Sequence, residues 1–153
     1  MKSFSTFISD MDKSNLTESS LSRLWKKYQD CDSGTITAFR GEYSKKENLA
    51  RNAELKAALL GAGYSVTSID GVYIENYGSA NEKPVKEKSF IVFDHKKTGK
   101  LKADLKRLGL RYDQDSITFN SVSDGNYYLI GTSKREDSYP GFGKEIKLGK
   151  PMF

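Results

Sequence analysis

The sequence predicts an α+β protein: an antiparallel sheet with two helices on one face, a ferredoxin-like βαββαβ variant carrying an extra N-terminal helix. Three observations point there. Leucines recur at helical spacing over residues 45–60 and again over 98–109. A β-branched or aromatic run precedes each of these stretches. Short strand-like runs flank the dipeptides Asp70-Gly71 and Asp124-Gly125, a composition that favours tight turns between antiparallel strands. The order therefore reads strand, helix, hairpin and strand, helix, hairpin.

Residues 1–31 are set apart as an N-terminal helical appendage, and 32–153 as the main α+β domain. Leu16, Leu21, Leu24, Trp25 and Tyr28 form one helical stripe, with Asn15 or Thr17 as its cap. That helix is expected to dock on the main domain or on a neighbouring subunit. Thr35–Arg40 reads as the first strand, 41–44 as a polar loop, and Lys45–Leu60 as a helix stopped by Gly61-Ala62-Gly63. Tyr64–Ile69 and Val72–Glu75 read as a hairpin turning at Asp70-Gly71, and Gly78–Pro84 as a loop. Ser89–Phe93 is a buried strand, followed by a helix capped by Thr98 and ending at Gly109. Asp115–Phe119 and Tyr127–Gly131 pair across the second turn, and Glu145–Leu148 adds a short strand. Strand order is not readable.

Composition excludes much chemistry. The chain has 153 residues with one cysteine and one histidine, so no internal disulfide and no zinc or iron–sulfur ligand set can be built. A Cys31–His95 nucleophilic pair is conceivable, but a small residue near the first strand and a surface turn residue are the plainer readings. No phosphate loop, nucleophile elbow or metal motif is present, and Gly61-Ala62-Gly63 precedes a strand, not a helix. No apolar run reaches membrane-spanning length and Met1–Phe7 lacks a signal-peptide core, so a soluble, cytoplasmic protein is expected.

Net charge is +5, and the excess lies in the second half: 15 Lys+Arg against 10 Asp+Glu over 81–153, balanced at 10 each before that. Much of it sits on the stretch Lys96–Arg111, which reads as the solvated face of a helix; nucleic-acid contact is the alternative.

What remains is polar and aromatic residues at strand ends. A tight Asp70-Gly71 turn would bring Tyr64 and Glu75 together at the open end of one hairpin. A phenol beside a carboxylate suits a small cationic ligand, although an exposed Glu and a core-edge Tyr would look the same in sequence. Arg40, Asn52 and Gln114 sit at element ends, where they could hold a ligand or simply pair on the surface.

The runs Thr37-Ala38-Phe39-Arg40, Asn48 and Arg51-Asn52 with Leu55 and Leu59, Gly63-Tyr64, Gly71-Val72-Tyr73-Ile74-Glu75 and Glu87-Lys88-Ser89-Phe90 resemble the bacteriophage S-adenosylmethionine lyases. The similarity spans roughly residues 34–95 and leaves the N-terminal helix unexplained. It implies a homotrimer with active sites between subunits, in the cytoplasm of an infected bacterial host. The substrate's own carboxylate would attack its γ-carbon, releasing 5'-methylthioadenosine and homoserine lactone. No cofactor or metal is implied, which suits a chain so poor in histidine and cysteine. The resemblance makes Tyr64 and Glu75 the catalytic pair, and Arg40, Asn52, Tyr73 and Gln114 complete the candidate substrate-binding set. The biological role implied is anti-restriction, through removal of the methyl donor. A non-catalytic phage protein that binds a small ligand or nucleic acid is the alternative, as is a structural or host-takeover protein docking through Trp25.

Overall fold

The computed structural model describes residues 18–75, 80 and 83–149, with side chains placed at 22–70, 80 and 87–149. The elements are α1 (Glu18–Asp30), β1 (Ser33–Ile36), α2 (Lys45–Gly61), β2 (Ser65–Glu75), β3 (Lys83–Phe93), α3 (Leu101–Arg111), β4 (Ser116–Ser121), β5 (Asn126–Gly131) and β6 (Glu145–Gly149). All six strands form one sheet in the order β2-β3-β1-β4-β5-β6, and every neighbouring pair is antiparallel. The fold is α+β.

Alternation along β3 divides the core in two, because successive side chains leave a strand on opposite faces. Phe90 and Val92 join Ile36, Ile117 and Ile130 under Leu55 and Leu59 of α2 and Leu101, Leu105 and Leu108 of α3. Ile91 and Phe93 face the other way, with Ile69 and Tyr127, under Leu24 and Tyr28 of α1. The N-terminal helix thus docks on the sheet face opposite the other two. Its suggested caps, Asn15 and Thr17, and Leu16 lie outside the described residues.

Gly34 sets the distance between α3 and the sheet. A Cβ there would fall 2.4 Å from both Leu105 Cδ1 and the Thr118 carbonyl oxygen.

Several boundaries differ from the sequence reading. The largest difference concerns Asp70-Gly71, which is no turn. β2 runs unbroken from Ser65 to Glu75, with Asp70 opposite Lys88 and Gly71 opposite Glu87. The local turn preference of Asp-Gly yields to eleven consecutive pairings with β3. The strand partner of β2 is the whole of 83–93, so the expected loop up to Pro84 is shorter and Pro84 itself lies in β3 opposite Ile74. Two strands, not three, separate α2 from α3.

The first strand stops at Ile36, four residues early, for a reason given below. Thr98 does not cap α3: the N-cap is Lys100, with no side-chain cap bond. Thr98 is held by the buried Asp94, whose Oδ1 accepts from its backbone N–H (3.0 Å) and whose Oδ2 accepts from its hydroxyl (3.1 Å). α3 also runs past Gly109 to Arg111, since a glycine inside a helix costs only about 1 kcal/mol. There the missing side chain admits Thr132, whose Oγ1 would be 2.7 Å from a Cβ. The helix α2, the β4–β5 hairpin at Asp124-Gly125 and β6 lie where expected.

Candidate active site

The segment that ends β1 early is secured by side chains of α2 and by Gln114. Ala38 N–H donates to Asn52 Oδ1 at 2.8 Å, and Arg51 Nε donates to the Ala38 carbonyl at 2.9 Å. Gln114 Nε2 donates to the Phe39 carbonyl at 3.2 Å. Asn48 takes both sides of Arg40, accepting from its N–H (2.9 Å) and donating to its carbonyl (3.0 Å). Residues 37–40 leave the sheet because these side chains replace the ladder as hydrogen-bond partners, so leaving it costs no unsatisfied backbone.

The props are themselves fixed. The α2 helix begins with a capping box: Ser44 Oγ accepts from Glu47 N–H at 3.1 Å, and Glu47 Oε1 accepts from Ser44 N–H at 3.3 Å. That sets Asn48, Arg51 and Asn52 on the first turns. Arg51 lies over the Tyr43 ring at 4.5 Å and the Tyr112 ring at 5.4 Å, and donates to the Tyr112 carbonyl at 2.7 Å. Asn52 Nδ2 donates to the Lys88 carbonyl at 2.9 Å, tying α2 to β3.

Three of the four candidate substrate-binding residues are therefore visible, and all act on the backbone. Asn52 and Gln114 are buried, with their amides spent on this segment and its neighbours. Arg40 lies on the irregular segment instead of ending a strand, bonded to Glu42 and to the Asp113 carbonyl. The Arg40 hydrogen bond holds the Glu42 carboxyl below the usual carboxylate range. Arg51 turns its guanidinium onto backbone carbonyls. The side chain of Tyr73 lies outside the described residues.

The catalytic candidates are not brought together within one chain. Tyr64 immediately precedes β2 and Glu75 ends it, so eleven extended residues, roughly 35 Å, separate them. Without the Asp70-Gly71 turn, the expected open end of a hairpin does not exist. The Glu75 side chain lies outside the described residues, but its backbone pairs with Lys83.

Beyond Asp70 and Lys88 the β2–β3 pair outruns the sheet. β1 meets β3 only from Phe90 to Phe93. Residues 71–75 and 83–87 thus form a two-stranded arm whose strands pair only with each other among the described residues. It carries Glu75 roughly 16 Å away from the body.

Tyr64 is buried in the α3-side core, and its hydroxyl donates to Asp104 Oδ2 at 2.5 Å. Burial first, then the Asp104 hydrogen bond, pushes that phenol up to about 12. Asp104 is a residue the sequence reading missed. It looks like one more charge on a basic helix and lies 40 positions from its partner. Its other oxygen is 3.5 Å from Arg107, and a quarter of its side chain is exposed.

The basic stretch itself is partly compensated: Lys102 pairs with Glu145 at 2.8 Å and Arg111 with Glu54 at 2.9 Å. His95 sits in an exposed turn with Nδ1 2.9 Å from Ser65 Oγ, and Cys31 is buried with its thiol on the Lys27 carbonyl. No helix among the described residues is long and apolar enough to cross a membrane.

An α+β fold with a braced loop after β1 and a long β2–β3 arm defines the scaffold. The model of the S-adenosylmethionine lyase family matches residues 34–150 of it, from β1 to just beyond β6. The chain belongs to the S-adenosylmethionine lyase family and is a lyase that degrades S-adenosylmethionine. It is also similar to a solved phage SAM lyase in complex with S-methyl-5'-thioadenosine, at 18% identity over 77% of this chain and 90% of that one, with a TM-score of 0.35. No curated protein matches it.

Proposed function

We propose that the protein cleaves S-adenosylmethionine without water, in a homotrimer whose sites each combine Tyr64 of one copy with Glu75 of another. The observation that supports this most is the separation of those two residues along a single strand. A rigid extended strand cannot fold back on itself, whereas an arm that projects beyond its own sheet can reach a second copy. Exposed strand edges on such an arm also call for a covering neighbour.

In the reaction the substrate carboxylate oxygen attacks the γ-carbon. The C–S bond breaks, and its electron pair passes to sulfur, neutralising the sulfonium. Homoserine lactone and 5'-methylthioadenosine leave, and no proton is transferred. The chemistry thus needs placement more than acid–base catalysis, and proximity can supply several kcal/mol. Glu75 would hold the substrate ammonium, leaving the carboxylate free to attack. The Tyr64–Asp104 pair offers a fixed ring and a second partly exposed carboxylate to a cationic substrate. The reaction requires no metal or cofactor. Arg40, Asn52 and Gln114 serve as positioning residues that hold the 37–40 segment, and Tyr73 lies on the arm beside Glu75.

The biological reading is anti-restriction in an infected bacterial cytoplasm, supported by the motif resemblance to the bacteriophage enzymes. Two experiments test the proposal. Nuclear magnetic resonance of the substrate incubated with pure protein should show methylthioadenosine and homoserine lactone, whereas free homoserine formed directly would point to water attack. Mixing inactive Glu75→Gln subunits with inactive Tyr64→Ala subunits should restore about a quarter of the sites in a threefold ring. No recovery after verified subunit exchange would place both residues in one subunit's site or outside the site.

A further inference from the structure

Asp94 follows the last residue of β3 and is only 2% exposed. Its backbone is fixed on both sides, donating to the Asp32 carbonyl at 2.9 Å and accepting from Lys97 N–H at 2.9 Å. Its carboxylate accepts three hydrogen bonds from the turn that leads into α3. Oδ1 takes Thr98 N–H at 3.0 Å, and Oδ2 takes the Thr98 hydroxyl and Gly99 N–H, each at 3.1 Å. We propose that Thr98, held by Asp94, is a positioning residue for the lyase reaction, acting with Asp104 to fix the Tyr64 phenol. This rests on the reading of Tyr64 as a site residue.

Three features support the role. Residues 95–100 are exposed, so water could satisfy the N–H groups of this turn without any carboxylate. Burying a charged group is costly, and what Asp94 adds over water is a fixed place for the Thr98 side chain. The turn is also held in a conformation it would not choose freely. Lys97 has φ 54°, in the left-handed region that a side-chain-bearing residue adopts at a cost, so its surroundings dictate the path.

The third feature is what the turn presents. Burial and Asp104 raise the pKa of the Tyr64 phenol, and hydrogen bonding by the Thr98 hydroxyl pulls it back down, so that hydroxyl reaches the phenol oxygen. The phenol spends its one proton on Asp104, and its oxygen keeps acceptor capacity toward Thr98. Asp104 lies in the first turn of α3 and Thr98 in the turn before it, so two adjoining segments clamp one ring. Two partners define the tilt of that ring, which one alone does not. The bland competitor is a role in starting α3, since Thr98 Oγ1 also accepts from Lys100 N–H at 3.1 Å.

A double-mutant cycle on kcat/KM, read by methylthioadenosine release, separates the two. Thr98→Val removes the hydroxyl and keeps the shape. It should lower kcat/KM roughly three- to tenfold, and Thr98→Ser should stay at the parent value. In a Tyr64→Phe protein, itself impaired, Thr98→Val should cost nothing further, because the group it acts on is gone. A hydroxyl that only starts the helix would impose the same loss in both backgrounds. Thr98→Ala serves in the same cycle if the valine protein does not fold. The proposal is overturned by a folded hydroxyl-free variant with parent kcat/KM, by equal losses in the two backgrounds, or by a Tyr64→Phe protein at the parent rate. Only a fully active Tyr64→Ala protein would remove Tyr64 itself from the site.

Discussion

Asp104, in the first turn of α3, accepts a hydrogen bond from the phenol of Tyr64, the residue just before β2. The contact ties the start of the long strand to the helix above it and keeps the Tyr64 ring in one orientation.

This contact sets a pH dependence. Tyr64 holds its proton to about 12 in the folded chain, against 10 for free tyrosine, with burial the larger cause and Asp104 the next. A raised folded-state pKa means a contribution to stability that is complete below pH 10 and is lost as pH climbs toward 12. Asp104→Asn removes the carboxylate but not the burial. The tyrosinate absorbance midpoint of Tyr64, isolated by difference from a Tyr64→Phe variant, should therefore fall yet stay above 10. A midpoint that does not move would detach Asp104 from Tyr64.

Glu75→Gln should leave folding and assembly intact while removing one charge-assisted contact, worth roughly 1.5–3 kcal/mol. The expected result is a loss of at least about tenfold in rate, measured by methylthioadenosine release. Parent-level activity would take Glu75 out of the mechanism.

Asn52→Ala strips a partner from the Ala38 N–H and the Lys88 carbonyl at once. Thr37 Oγ1 still donates to the Lys88 carbonyl at 2.6 Å, so the Ala38 N–H is the group left unsatisfied, and urea denaturation should show a loss of roughly 1–3 kcal/mol. A change below about 0.5 kcal/mol would mean that solvent replaces Asn52 freely.

Light scattering should return about three times the 17.2 kDa chain mass. A monodisperse monomer at micromolar concentration would be incompatible with an interfacial site.

Replacing Lys102 and Lys106 with Gln should leave substrate degradation nearly unchanged. Lys102 gives up only an exposed pair with Glu145, and such pairs contribute at most about 1 kcal/mol. A folded double variant without activity would move the site onto α3's outer face.

Much of this fold is legible in the sequence because burial on one side writes a period into it. Leu101, Leu105 and Leu108 announce α3, and the unbroken run Ser89–Phe93 announces a strand covered on both faces. Asp70-Gly71 misleads because its turn preference is local, whereas the pairing that overrides it comes from residues 87 and 88. The site is less legible. Asn48, Asn52 and Gln114 announce themselves as polar, but nothing nearby in sequence says that their partners are backbone groups up to 75 positions away. Tyr64 and Asp104 meet only because β2 and α3 pack on one core, which no spacing rule encodes.

The stitching of residues 38–40 also governs when their amides meet solvent. Irregular connections usually exchange their protons in brief local openings. Here Ala38 N–H is held by the buried Asn52, which also ties its helix to the Lys88 carbonyl of β3, one turn from the core residues Leu55 and Leu59. In deuterated solvent the amides of Ala38 and Arg40 should persist as long as those of the central strands, so this unstructured-looking stretch will report global unfolding instead of loop motion.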